Sequence, residues 1–504
     1  MNMPVISSYA KVAFFSVVVF CLILAFFSSY FAPGFSEGNL VAGILFWSDH
    51  DPGAWYLQSA HEILRKPTVY FGHPGLPMQL GNALVQKIVY FIYHGEHESY
   101  AACVIRKLYL VQVLSRTLIT CMWIATAWMV KSVTLKLFRN KDTGYIAGIL
   151  FLTSFPVIYY INRISPEPYM MFFFLLSFYC LMLVKEYCHA GDWKKTLFFS
   201  CAATFAAVSA FYSKIQLFGP LPVFIFISLI IFLLKPLSWP RLVGVLFLSM
   251  ISLLLTAICF EPFMDWLSFA REWPPIARQW PPTAPWRVGQ NIAGPKDILF
   301  AGLNVISQFV SVLSKITFHN ILPFTDKSRL VFATEYGLIL AYLSSFFYRV
   351  IRKNNFLIAM NIYIIFPTYV FLYRGGGLTF DGFHYLFPLL AVCCIQAAYV
   401  INAITNAPLN IPNWKTTMGS LFVVLIIHFT AVVFVVSAHQ NRMVQGRMAR
   451  QVYVALAELK PGECLPVKWQ NSLTSIGITT GNNYNSGVSS LIENEILRRQ
   501  NENK

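Results

Sequence analysis

Leu221-Pro222-Val223-Phe224-Ile225-Phe226-Ile227-Ser228-Leu229-Ile230-Ile231-Phe232-Leu233-Leu234 carries no charge, and the nearest ionisable residues on either side are Lys214 and Lys235. With Leu217 and Phe218 in front, it is one unbroken apolar run over 217–234, close to the ~20 residues that a helix needs to cross a hydrocarbon core. Runs of this kind recur along the chain. Spans are read near 11–31, 108–131, 144–161, 168–184, 196–213, 217–234, 242–260, 330–348, 355–373, 385–405 and 417–437. The composition agrees, at 57% hydrophobic and 12% charged over 504 residues, with a mean hydropathy of +0.57. The expected fold class is an all-α polytopic membrane protein of about 11 transmembrane helices.

Residues 11–31 are preceded only by Lys11 and lack a small-residue cleavage site, so they read as a retained helix. The short loops rich in Lys and Arg are expected on the cytoplasmic side. They hold Lys131, Lys136, Arg139 and Lys141, then Lys185, Lys194 and Lys195, then Lys235 and Arg241, then Arg349, Arg352 and Lys353. This sets the N-terminus inside. The net charge of +16 follows from these scattered loops and not from one basic domain, which argues against a nucleic-acid partner.

Two apolar stretches are interrupted and read as interfacial helices in the first and fourth outer loops. In 79–95, Gln79, Asn82, Gln86 and Lys87 break up Leu80, Leu84, Ile88 and Tyr90; in 298–318 the interruptions are Asn304, Gln308 and Lys315. With that topology, ionisable residues gather at the outer ends of the odd-numbered spans. Asp49 and Asp51 follow span one, Arg163 and Glu167 span three, Lys214 span five, Glu261 and Asp265 span seven, and Arg374, Asp381 and His384 span nine. Charges held against the desolvation cost at a membrane edge mark a functional surface.

These residues carry a family resemblance. The acid-bearing loop Trp47-Ser48-Asp49-His50-Asp51-Pro52-Gly53 with Tyr56, Ala60 and His73-Pro74, the turn Arg163-Ile164-Ser165-Pro166-Glu167-Pro168, Lys214 between two short spans, and His384-Tyr385-Leu386-Phe387-Pro388 at the start of a late helix resemble the polyprenyl-phosphate-sugar-dependent glycosyltransferases of the GT-C fold. That group includes protein O-mannosyltransferases and lipid A aminoarabinose transferases. The likeness covers roughly residues 1–400 and lies in spacing and topology. It implies a donor that is an undecaprenyl- or dolichyl-phosphate-linked sugar, presented at the outer membrane surface, with a first-loop acid as base. Many relatives have Asp-Glu or Glu-x-Asp where this chain has Asp49-His50-Asp51, and Arg where it has His384. Which Asp is the base and which cation meets the phosphate stay open on that ground.

The chemistry agrees. Inverting sugar transfer needs a carboxylate to take the acceptor hydroxyl's proton, and the leaving phosphate needs cations where negative charge develops. Asp49 or Asp51 is the expected catalytic base; His73, Arg163, Glu167, Lys214, Arg374 and His384 are the expected substrate-binding residues. No cofactor is required, although Asp49 and Asp51 at i, i+2 could share a divalent metal. The acceptor (lipid, glycan or protein) is not readable from the chain. Blander roles stand beside these. Asp51-Pro52-Gly53 is common turn chemistry, Glu167 could stabilise a helix N-terminus, His73 could be an interfacial turn residue, and Arg163 and Lys214 could snorkel as anchors.

In 261–297, Trp273-Pro274-Pro275, Trp280-Pro281-Pro282 and Pro285-Trp286 are interleaved with Arg271, Arg278 and Arg287. This reads as an interfacial anchor, with an acceptor-binding lip as the alternative. The membrane module is expected to span 1–437 and a small extracytoplasmic α/β appendage 438–504, the latter with helices near 440–459 and 488–499 and a strand at 464–469. The cysteines mostly sit inside apolar runs, without metal or disulfide spacing. No Asn-x-Ser/Thr sequon occurs, which favours a bacterial inner membrane over a lumenal setting. A transporter or flippase of a lipid-linked saccharide would instead need polar residues at span centres. A non-catalytic GT-C-like scaffold would leave the acids and cations apart.

Overall fold

The structure is a computed structural model that describes residues 4–30, 75–96, 107–161, 165–214, 221–258, 340–373 and 387–405, with Tyr100, Cys103, Gly337 and Leu338. Every regular element among them is a helix. In chain order they are α1 (Pro4–Tyr30), α2 (Leu76–Tyr93), α3 (Leu108–Phe138), α4 (Lys141–Thr153), α5 (Phe155–Tyr160), α6 (Glu167–His189), α7 (Trp193–Ser213), α8 (Leu221–Leu233), α9 (Trp239–Ile258), α10 (Arg349–Lys353), α11 (Asn355–Tyr373) and α12 (Phe387–Thr405). Among the described residues five helical segments are long and apolar enough to cross a membrane: Val113–Phe138, Glu167–His189, Trp193–Ser213, Trp239–Thr256 and Phe387–Ile404. Ala10–Ile23, Leu221–Leu233 and Asn355–Ile364 are shorter apolar helices. The chain is an integral multi-pass membrane protein. The expected span 417–437, the interfacial stretch 298–318, the Trp-Pro-Pro segment and the C-terminal appendage lie outside the described residues.

The expected helix over 144–161 is two helices. Pro156 has no N–H to give to a continuing helix, so α4 stops at Thr153 and α5 restarts after Ser154 in extended conformation. The α3 helix runs seven residues past its expected end at 131, to Phe138. Its polar tail is held by neighbours: Lys131 lies 3.7 Å over the Trp128 ring and 4.9 Å over Tyr145, and Lys136 pairs with Glu186. Arg139, at φ 53, then takes the left-handed conformation that glycine usually supplies after a helix. The Asn140 carboxamide accepts from the N–H groups of Asp142 and Thr143, which starts α4.

The described helices fall into two compact units. One comprises Met1–Ser7, Trp128–Phe151 and Phe173–Met418. Its packing centres on α7, whose buried side is built from small residues: Thr196, Ser200, Ala203, Thr204, Ala206, Ala207, Ser209, Ala210 and Ser213. Small side chains let α8 and α9 approach closely, the main route to helix association where lipid removes the hydrophobic driving force. Hydroxyls along that side return to their own helix, as Thr196 to Asp192 O at 2.8 Å and Thr204 to Ser200 O at 3.0 Å. Further along, Tyr363 of α11 sits 5.6 Å from Phe174 and 5.5 Å from Phe224, ring centre to ring centre. Ser345 donates to Gln396 Oε1 at 2.5 Å, tying α12 to the helical residues 340–345.

The other unit comprises Ser8–Ala127, Leu152–Phe172 and Gly419–Lys504. Here α2 buries three amides beside apolar residues such as Met78, Val85 and Val89. Gln79, Asn82 and Gln86, at i, i+3 and i+7 on one helical face, are buried, whereas Leu80, Leu84, Ile88, Phe91 and Ile92 are exposed. Such a face would be an error in water and is the stable choice against hydrocarbon, since burying unpaired amides in lipid costs several kcal/mol each. Gln86 accepts from the Tyr100 hydroxyl at 3.0 Å. The opposite contact is tight. A Cβ on Gly81 would stand 2.6 Å from the Tyr169 hydroxyl and 3.1 Å from Leu118, so only glycine lets α2, α3 and α6 converge there.

Candidate functional site

Within that second unit, the turn between α5 and α6 is fastened by three α3 side chains at spacing i, i+3, i+6. The Thr120 hydroxyl donates to Ile161 O at 3.0 Å, the Trp123 indole N–H to Tyr160 O at 3.0 Å, and the Thr126 hydroxyl to Pro168 O at 3.1 Å. The carbonyls they reach are the last before the turn and one just after it. Two prolines explain why outside donors are used: Pro166 and Pro168 flank Glu167 and can give no backbone N–H to the turn. Trp123 and Thr120 are fully buried, so these bonds form away from water, where an orphaned carbonyl costs most.

The turn delivers Glu167 as the first residue of α6, with only 4% of its surface exposed. Its position at a helix N-terminus favours the charged carboxylate, but its burial rules out a solvated cap. Ser165 just before it is buried too, as are Arg116, Ser115 and Thr120 of α3 and the amide face of α2. The second unit therefore buries a set of polar side chains within a largely apolar core.

Lys214 belongs to the first unit. It ends α7, its backbone N–H shared between Ala210 O at 3.2 Å and Phe211 O at 3.1 Å, and its side chain is 2% exposed. A snorkelling lysine reaches water with its ammonium. Lys214 is instead buried at a helix C-terminus, where positive charge is favoured. Asp49, Asp51, His73, Arg163, Arg374 and His384 lie outside the described residues. Among the described residues no three His, Cys, Asp or Glu side chains come together as a metal site, and the cysteines are free thiols, mostly buried.

Arg116 and the amide face of α2 are members of the buried polar set that the sequence reading missed. Arg116 was legible in principle as the lone charge in the apolar run over 108–130, a position that is costly unless the residue faces protein. It lies near the start of the apolar window that begins at Val113, at the edge of the span and not its centre.

No protein-family model and no curated protein matches the sequence. Among solved structures, the fold is similar to the Archaeoglobus fulgidus oligosaccharyltransferase in its apo form, at 12% identity and a TM-score of 0.45. It is also similar to the archaeal oligosaccharyltransferase AglB from Archaeoglobus fulgidus in complex with an inhibitory peptide and a dolichol-phosphate, at 12% identity and a TM-score of 0.43. Both alignments cover 90% of this chain and 60% of the archaeal one. The chain thus spans 60% of the length of those proteins.

Proposed function

We propose that the chain is an integral membrane glycosyltransferase of the GT-C type. It moves a sugar from a polyprenyl phosphate to an acceptor hydroxyl at the extracytoplasmic surface, with inversion. The observation that carries this reading is the burial of Glu167 and Lys214, at 4% and 2% exposure. The two substrate-binding candidates that are described are each buried at a helix end. Internal charges in a membrane protein are kept at a cost that function repays.

In the proposed reaction Asp49 or Asp51 takes the proton of the acceptor hydroxyl as its oxygen attacks the anomeric carbon. The bond from that carbon to the phosphate oxygen breaks, its electron pair stays with the phosphate, and the polyprenyl phosphate leaves as an anion. Arg163, Lys214 and Arg374, with His73 and His384, hold the charge that develops on it. A phosphate is a good leaving group at neutral pH, so no general acid is needed. Glu167, beside Arg163 in sequence, orients that cation or a sugar hydroxyl.

The test is transfer from radiolabelled polyprenyl-phosphate sugars in membranes, comparing the native chain with Asp49→Asn and Asp51→Asn. Loss of transfer in one of them, with the protein still folded, identifies the base. Transfer that persists in both removes the proposed base.

A further inference from the structure

The first unit contains a groove that the proposed transfer reaction does not use. It lies between α7 and α9, has a volume of about 650 Å³, and is lined by Lys194, Leu197, Cys201, Phe205, Leu248 and Leu255, among others. Apart from Lys194 its walls are almost wholly apolar. Ser252 Oγ donates to Cys201 O at 3.4 Å across its floor. Leu255 is 55% exposed and α9 is among the least buried of the long apolar helices, so the groove opens sideways from the protein. In a multi-pass membrane protein that direction is lipid.

One end of the groove is basic. Cys188 near the end of α6 meets Phe232 near the end of α8, Sγ to O at 4.0 Å, so α7 and α9, which follow these helices, begin on the same side. Trp193 and Trp239 open these helices and are exposed, as tryptophans at the headgroup level are. The acids near this end are already engaged: Asp192 with Lys195 at 3.1 Å and Glu186 with Lys136. Lys194 sits in the field of Asp192, but neither it nor Lys235 or Arg241 forms a salt bridge among the described residues. From Lys194 to Phe205 the helix rises about 16 Å, near half of a hydrocarbon core of about 30 Å. An ammonium at the headgroup level, above an apolar channel one leaflet deep, matches one ligand chemistry.

We infer that the α7–α9 groove holds an anionic phospholipid, with its phosphate at Lys194 and an acyl chain along Leu197, Cys201 and Phe205. Lys235 and Arg241 add positive field at the same surface. The inference is independent of the proposed enzymatic activity.

The experiment is native mass spectrometry of the full chain released from nanodiscs made with equal phosphatidylglycerol and phosphatidylcholine, for the native protein, Lys194→Gln and Leu255→Trp. Both positions are exposed, and a melting curve for each variant checks the fold. The expected result is retention of phosphatidylglycerol over phosphatidylcholine, reduced about five-fold by Lys194→Gln, the worth of one cation at an anionic surface. Leu255→Trp, which fills the groove, reduces retention of both lipids. Equal retention of the two lipids by the native chain, or native-like retention by both variants, overturns the inference. So does displacement of phosphatidylglycerol by equimolar polyprenyl phosphate, which would assign the groove to the donor lipid.

Discussion

The Trp123 indole N–H reaches the carbonyl of Tyr160 at 3.0 Å across 37 residues of sequence, with the tryptophan fully buried. This bond holds the last residue of α5 against α3, shortly before the Ser165-Pro166 approach to Glu167. Trp123→Phe keeps most of the ring and removes the donor. Leaving that carbonyl a partner short should lower stability by about 1–3 kcal/mol, read as a lower melting temperature in detergent. A variant that melts like the native protein would show that the bond does not hold the turn.

Gly81 and the Tyr169 hydroxyl offer a paired test. An alanine in a helix normally stabilises by ~1 kcal/mol over glycine. Here its methyl would stand 2.6 Å from that hydroxyl, and overpacking of this kind costs about 1–3 kcal/mol. Gly81→Ala should therefore melt lower than the native protein. Adding Tyr169→Phe, which removes the oxygen, should recover part of the loss. Simple additivity of the two changes would mean that they do not meet.

Lys214→Met preserves the length and apolar stem of a side chain that is 2% exposed and removes its charge. With the proposed phosphate role, sugar transfer falls by about 10²–10³-fold, the usual effect of losing one electrostatic stabiliser of developing charge. A variant with native transfer rates would reduce Lys214 to a structural residue. Glu167→Gln should also lower transfer, through apparent donor affinity more than turnover.

The turn before α7 predicts a pH effect of known sign. Asp192 accepts from the backbone N–H of Lys195 at 3.2 Å and pairs with its ammonium at 3.1 Å, and these bonds hold its carboxyl below the ordinary carboxylate range. Its contribution to stability is present above that range and disappears as pH falls through the lowered value. The site is exposed, so the effect is small and weakens with salt. Asp192→Asn keeps an oxygen that can cap the helix and should flatten the acid limb of the melting profile; Asp192→Ala should also lower the plateau. An unchanged acid limb in Asp192→Asn would show that the pair contributes nothing.

Helices were legible where composition alone decides them. Leu221–Leu233 is apolar all round, and no neighbour could make it anything else in a membrane. What depended on neighbours was not legible. The tail of α3 stays helical because Trp128, Tyr145 and Glu186 receive its lysines, partners that are distant in sequence or invisible without the fold. The amides of α2 read as interruptions of an apolar face, and the fold shows that they are buried with Met78, Val85 and Val89 on the side that packs. Glu167 was found because a charge between two prolines is conspicuous. Arg116 was missed because one cation in a long run still leaves the run long enough to cross.

The buried amides of α2 bear on handling and redesign. Leu84, Phe91 and Ile92 are mostly exposed, whereas Gln79, Asn82 and Gln86 are buried and cannot be exchanged for leucine without removing buried polar groups. A detergent-free, water-soluble version of this unit would therefore be sought by rewriting the greasy rim and sparing the glutamines and asparagine. That is the reverse of the rule by which cytosolic proteins are made more soluble.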